Sequence, residues 1–238
     1  MDPIALVAET PEQSAIVLDV DGTLAPIVPH PEDAAVPPGT RAELERLAGR
    51  YRLLAFVSGR TGEDARRIVG VADALYVGVH GLELEPEAED WRAPLAHLAA
   101  SAWPWGEVED KGLTVSFHYR NAEDEAAAVE QAHEIADHAK EAGLVPGFGR
   151  KVLEVRPPVD ADKGTAVLQL LAEAGAKRAL FVGDDTTDLD AFRGLREAGL
   201  EVSVCVAVAS PEGPPELKMQ ADVVVEGTAG VLALLHEL

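Results

Sequence analysis

Four apolar runs constrain this chain more than any other feature: AIVLDV at 15–20, LLAFVS at 53–58, ALFVGD at 179–184 and VSVCVAV at 202–208. Each is close to continuous in aliphatic or aromatic residues, without polar alternation, so each reads as a strand buried on both faces. Helical stretches such as GTRAELERLAGR (39–50) and DKGTAVLQLLAEAG (162–175) lie between them. A doubly buried strand needs cover on both sides. Strands alternating with helices supply it as a parallel sheet wrapped by helices. The closing segment ADVVVEGTAGVLALLHEL repeats the strand-then-helix unit.

From about Pro86 to Pro158 the pattern changes. LTVSFHYR alternates strictly, with Val115, Phe117 and Tyr119 on one face and Thr114, Ser116, His118 and Arg120 on the other, as expected of a strand with one face packed. NAEDEAAAVEQAHEIADHAKEAG reads as a helix with Asn121 as its N-cap, a stripe of Val129, Ala132, Ala136 and Ala139, and Gly143 at its end. RKVLEVRPP follows as a second alternating strand, stopped by Pro157 and Pro158. The expected class is therefore α/β: a parallel Rossmann-like sheet core with helices on both faces, 1–86 and 159–238, carrying a small inserted α+β domain, 87–158. Trp103 and Trp105 read as hydrophobic anchors of that insert.

At 238 residues with 47% hydrophobic content, the chain can bury a sizeable core. No apolar run approaches the roughly 18 residues needed to span a bilayer. The N-terminal MDPIALVAETPEQS places no basic region ahead of a hydrophobic stretch, so a cytoplasmic protein is expected. Cys205, the single cysteine, reads as a buried strand residue. A formal net charge of -22 argues against nucleic acid as a partner and requires any small anionic ligand to be met by a local cluster of cations, N–H groups or a metal. No exposed apolar stripe stands out, which is compatible with a monomer and leaves the oligomeric state open.

Ligands of a parallel sheet gather at the carboxyl ends of its strands. Three polar clusters sit there: Asp19 with Asp21, Ser58 with Arg60, and Gly183 with Asp184, Asp185 and Asp188. So many carboxylates in one cleft are tolerable if they share a hard divalent cation, and Mg²⁺ suits oxygen-only ligands that retain some water. GDDTTD alone would read as a helix cap and turn; beside a separate DxD at a strand end it reads as part of a metal site. Gly22 and Thr23 can offer N–H groups in a tight turn, Ser58 a hydroxyl near a helix N-terminus, and Lys163 a positive charge, all suited to phosphate.

The motifs DVDGT (19–23), SGR (58–60), DKG (162–164) and GDDTTD (183–188) occur in the order and spacing of the four motifs of the haloacid dehalogenase-type phosphohydrolases, and from Asp19 to Asp188 the chain resembles that superfamily. Within it the chain is similar to the trehalose-6-phosphate phosphatase family, through DVDGTLAPIVPHPEDA, VSGR, VGVHGLE, KGLTVSFHYR, KVLEVRP and VGDDTTDLDAF. One departure is Leu189, where that family usually carries an acid.

The resemblance implies that Asp19 is the nucleophile, that Asp21 moves the protons, and that Ser58 and Lys163 complete an oxygen cradle. It implies Mg²⁺ held by Asp19, the Asp21 backbone carbonyl and Asp184, with Asp185 and Asp188 in direct or indirect support. The substrate would be a small sugar phosphate: trehalose 6-phosphate first, another sugar phosphate such as a sucrose or mannosyl ester second. A silent sugar-phosphate-binding regulatory module is a third reading. The insert would act as a cap, with Lys111, His118, Arg120 and Glu154 binding the sugar and Arg60, His80 and Glu83 meeting it from the core side.

Overall fold

The uninterrupted apolar runs become strands with almost no exposed surface. The computed structural model describes residues 2–210 and 213–238. These fall into two compact units, Met1–Gly81 with Ala161–Leu238, and Leu82–Asp160. The first unit begins with α1 (Pro3–Ala8), β1 (Ser14–Leu18), α2 (Pro38–Ala48), β2 (Leu53–Val57), α3 (Gly62–Val69) and β3 (Leu75–Val77). The second holds α4 (Arg92–Ala99), β4 (Val108–Asp110), β5 (Val115–His118), α5 (Glu125–Glu141), β6 (Val145–Gly149) and β7 (Val152–Arg156). The chain then returns to the first through α6 (Lys163–Ala174), β8 (Arg178–Gly183), α7 (Asp188–Glu197), β9 (Val202–Ala209), α8 (Pro215–Gln220), β10 (Val223–Glu226) and α9 (Gly227–Glu237). No helix among the described residues is long and apolar enough to cross a membrane.

The six strands of the first unit form a parallel sheet in the order β10-β9-β8-β1-β2-β3. All five residues of β1 and of β2 are buried. Ile16, Leu18, Leu54, Phe56, Leu180, Val182 and Val206 pack on one face with residues of α1, α2, α3 and α9. On the other face Phe181 meets Phe192 of α7 edge-on at 6.1 Å. β1 is central, and the chain winds outward from it first through β2 and β3, then back through β8, β9 and β10. Pairing of Leu18 with both Phe56 and Val182 brings the residues after β1, β2 and β8 to one sheet end, at the point where the strand order reverses.

Two helices on that second face approach unusually closely. A Cβ on Gly164, near the start of α6, would overlap the carbonyl oxygen of Asp190, and one on Gly194 of α7 would overlap the carbonyl of Gly164. Only glycine at both positions allows the two backbones to touch, so the start of α6, which carries Lys163, lies against α7 at Asp190 and Gly194.

In the second unit an antiparallel sheet, β4-β5-β7-β6, packs against α4 and α5 around Leu95, Val115, Phe117, Ile135, Leu153 and Val155. Trp103 lies edge-on to Phe117 at 5.4 Å and its Nε1 donates to the His118 carbonyl at 2.8 Å, while Trp105 Nε1 donates to Gln131 Oε1 at 2.7 Å. Both tryptophans therefore anchor this unit internally.

Several local expectations need correction. The N-cap of α5 is Asp124, whose carboxylate accepts from the Ala127 amide at 3.0 Å, so Asn121 lies ahead of the helix. Its buried stripe is Ala128, Ala132, Ile135, Ala136 and Ala139, with Val129 only half-buried. β5 ends at His118, leaving Arg120 in an exposed turn beyond it. Thr114 and Ser116 are buried although alternation placed them on the free face. Strand β6 (VPGFG), for which the sequence raised no expectation, is an exposed edge strand, the position where a sheet tolerates proline.

Gly194→Ala should destabilise the protein by about 1–3 kcal/mol, the usual range for overpacking against groups that cannot move aside. Denaturant unfolding will measure this; an unchanged midpoint would show that α6 and α7 are free to separate.

Candidate active site

Asp19 follows β1 directly, and its amide still donates to the Val182 carbonyl at 2.9 Å, so the sheet ladder fixes its backbone. Its carboxylate is buried, with Oδ1 3.1 Å from Lys163 Nζ. Lys163 opens α6, where Asp162 caps the helix by accepting from the Gly164 and Thr165 amides at 2.7 and 2.9 Å. An ammonium at a helix N-terminus is disfavoured by the helix dipole, and burial disfavours it further. Two carboxylates offset this: Asp19, and Asp188 at 2.7 Å. Asp188 is itself fully buried, and its second oxygen accepts from the Asp184 and Asp185 amides at 2.8 and 2.9 Å. GDDTTD thus forms the turn that leads into α7, without a side-chain cap on that helix, and supplies a partner for the buried lysine at once.

Asp184 comes close from the other side. Gly22, with φ at +78°, bends the chain after Asp21, and a Cβ there would overlap the Asp184 carboxylate, so both the turn and the close approach need glycine. Thr23 Oγ1 donates to Asp184 Oδ1 at 2.9 Å. One oxygen from each of Asp19, Asp184 and Asp188 lies within 4.8 Å of the others, a group that can hold a metal ion. Asp188 already has both oxygens engaged, so Asp19 and Asp184 are the better-placed donors. Asp185 is exposed and stands outside this group.

Three carboxylates around one ammonium leave the cluster with excess negative charge. Burial, the larger cause, and the neighbouring Asp188 and Asp184 push Asp19 up to about 8 even though Lys163 opposes the shift. Burial, with Asp188 and Asp185, likewise pushes Asp184 up to about 6. Burial works against the Lys163 charge, but Asp19 and Asp188 more than offset it and hold the ammonium protonated. A lysine held charged beside an acid pushed upward looks contradictory. The contacts resolve it: Lys163 is charged, and what the site lacks is a second cation.

Ser58 follows β2 and is buried, with Oγ accepting from the Arg60 amide at 3.2 Å. Arg60 does not stand open for a ligand. Its Nε and Nη2 donate to the two oxygens of Asp21 at 2.6 and 2.8 Å, and its Nη1 donates to Asp64 at 2.7 Å. Asp64 went unnoticed in the sequence because it looks like an ordinary acid in the first turn of a helix. His80 adopts a left-handed backbone (φ +54°), donates its amide to the Ser58 carbonyl at 2.9 Å, and packs its ring over Gly59.

In the second unit, Lys111 Nζ lies 3.4 Å and His118 Nε2 3.3 Å from the carboxylate of Glu109. Sequence reasoning missed Glu109, which sits opposite Ser116, itself opposite Glu154. Glu109, Ser116 and Glu154 therefore form a row on the sheet face that also carries His118. Glu83, expected on the core side, belongs to this unit. Leu189 lies in the first unit, lining a pocket of about 460 Å³ with Arg193, Arg196 and Gln220.

Residues 17–221 match the family model for trehalose-phosphatase. The chain belongs to the trehalose-phosphatase family. A "Probable trehalose-phosphate phosphatase" from Sinorhizobium fredii is 32% identical over 237 residues, covering 93% of this chain and 88% of the relative. "Probable trehalose-phosphate phosphatase 4" from Oryza sativa subsp. japonica is 31% identical over 214 residues, covering 80% of this chain. This chain spans only 58% of that rice relative's length. Among solved structures, that of a trehalose-6-phosphate phosphatase related protein superposes with a TM-score of 0.72 at 22% identity, over 93% of this chain and 95% of that one, and so shares the fold.

The raised acids make stability depend on pH with a definite sign. An acid whose folded pKa lies above its unfolded value binds its proton more tightly when folded, so stability falls as pH rises between the two. For Asp19 that window runs from 3.8 to about 8. Cation-free protein should lose melting temperature across it. A divalent cation should restore stability at pH 8, by about 2.7 kcal/mol at a hundredfold excess over Kd, and far less at pH 5. Thermal melts at both pH values test this; no response to cation at pH 8 would count against a metal site.

Proposed function

We propose that this chain is a cytoplasmic, Mg²⁺-dependent phosphoric monoester hydrolase that converts trehalose 6-phosphate to trehalose and phosphate. The observation that carries the reading is Asp19, fixed by the sheet ladder beside a buried ammonium and within reach of Asp184. Membership of the trehalose-phosphatase family supports the choice of substrate.

Asp19 attacks phosphorus as the bond to the sugar oxygen breaks, and Asp21 gives that oxygen its proton, leaving an aspartyl-phosphate and free trehalose. Asp21 then takes a proton from the water that attacks phosphorus, so that Asp19 is restored and phosphate leaves. Ser58, Lys163 and the N–H groups of Gly22 and Thr23 cradle the phosphoryl oxygens. The oxygen-only donors fit Mg²⁺: Asp19, Asp184 and the Asp21 carbonyl would hold it and Asp188 would support them, while Asp185, exposed and outside the cluster, drops out of the set. When bound, it neutralises charge on the transferring group.

Lys111, His118, Arg120, Glu154 and Glu83, with Glu109 now added, recognise the sugar hydroxyls; His80 stands beside Ser58, and Arg60 is committed instead to Asp21 and Asp64. The insert acts as a cap domain. A silent regulatory module would have no need of a buried carboxylate cluster short of positive charge, and the intact set Asp19, Asp21, Lys163 and Asp184 favours the enzyme.

Asp19→Asn should lower turnover at least about 10³-fold, on the scale of removing other enzymic nucleophiles. Its melting temperature at pH 8 without cation should equal or exceed that of wild type, because the substitution removes excess buried charge. Substantial Mg²⁺-dependent phosphate release by this variant would refute the assignment. A panel of phosphate esters, run with Mg²⁺ and with chelator, should show a large kcat/KM preference for trehalose 6-phosphate. Equal rates on sucrose or mannosyl esters would move the assignment to another sugar phosphate, and tight binding without hydrolysis would move it to a regulatory module.

A further inference from the structure

Arg60 joins two carboxylates. One edge of its guanidinium meets both oxygens of Asp21, through Nε to Oδ2 at 2.6 Å and Nη2 to Oδ1 at 2.8 Å. Its remaining nitrogen, Nη1, meets Asp64 Oδ2 at 2.7 Å and the Pro31 carbonyl at 3.2 Å. Asp64 is held in turn. It is the third residue of α3, its amide donates to Thr61 Oγ1 at 3.2 Å, and its Oδ1 accepts from Arg67 Nε and Nη2 at 3.0 and 2.7 Å. An acid at this position of a helix often turns back to the N-cap amide in a capping box. Here both of its oxygens serve arginines instead.

We propose that Asp64 is a positioning residue for the hydrolysis: by anchoring the far edge of Arg60 to the first turn of α3, it fixes the guanidinium that sets the orientation of the Asp21 carboxyl group. The proposal rests on the reading of Asp21 as the proton carrier. A planar guanidinium matched to a carboxylate at two points fixes both direction and plane, which a lysine cannot do. The same arginine would be drawn to an arriving phosphate dianion, and a second anion on its other edge resists that pull. When Asp21 carries a proton on one oxygen, its other oxygen still accepts from Arg60, so one of the two contacts survives each proton transfer. Asp64 and Arg67 are partly exposed, and ion pairs of that kind contribute little to folding. Arg60 is more buried, but it keeps both of its contacts to Asp21 when Asp64 is replaced, so the network can be altered without unfolding the chain.

The test uses Asp64→Asn and Asp64→Ala in the full chain with Mg²⁺, comparing kcat/KM for trehalose 6-phosphate with that for p-nitrophenyl phosphate. The aryl ester leaves without needing a proton, and kcat/KM reports steps only as far as the first bond cleavage. Misplacing Asp21 should lower the value for the sugar ester roughly tenfold, part of the 10²–10⁴-fold that general acid–base catalysis supplies, while the aryl ester changes less than about twofold. The loss should fall on kcat with KM nearly unchanged, and thermal melts should match wild type. Equal losses on both esters, or a rise in KM alone, would overturn the proposal, since a loosened loop or a lost sugar contact behaves in those ways. Asp21→Asn serves as the reference. If it shows the leaving-group dependence and the Asp64 variants do not, only this proposal falls; if it shows none, the reading of Asp21 itself falls.

Discussion

The buried ammonium of Lys163 is the constraint on which the rest of the site depends. It lies between Asp19 and Asp188 at 3.1 and 2.7 Å, at the start of a helix where a cation is electrostatically unwelcome. Its charge offsets part of the cost of burying the two carboxylates, and they offset the cost of burying it. Because one ammonium faces three acids, the balance is incomplete: burial first, and the neighbouring acids after it, raise Asp19 and Asp184, and the three acids form a group that can hold a metal ion. Stability and function pull in opposite directions at this cluster, a common property of sites that must accept charge from a ligand.

Backbone contact makes that arrangement possible. Lys163 and Asp188 head α6 and α7, and these helices come close enough only because Gly164 and Gly194 have no side chains. Gly22 plays the same part for Asp184. At both places the permitting residues are glycines, so the chemistry of the site is held by absent atoms as much as by the acids themselves.

The sheet core was legible in the sequence because doubly buried parallel strands write an unmistakable apolar run, as in β1, β2, β8 and β9. The short pieces were less so. α1 has six residues, too few for a periodic stripe, and β6 contains proline and two glycines, which do not mark a strand. Asp124 rather than Asn121 caps α5, a choice between two good caps that local sequence does not decide. Arg60 illustrates the limit within the site. The sequence marked it as a core-side residue meeting the sugar, but its partners Asp21 and Asp64 are 39 and 4 positions away, and only one of those separations is visible as a helical neighbour.

By itself the sequence determined the fold class, the strand ends where chemistry collects, and the motif residues Asp19, Asp21, Ser58, Lys163 and Asp184, since these follow from local periodicity and ordered motifs. Tertiary structure decided which of those groups meet. It set Lys163 between two particular acids, left Asp185 outside the cluster, turned Arg60 onto Asp21, and joined Glu109 to Lys111 and His118. The physical reason is that periodicity records which side of an element is buried, whereas ion pairing depends on strand register and helix approach, which are fixed by contacts between residues far apart in the chain.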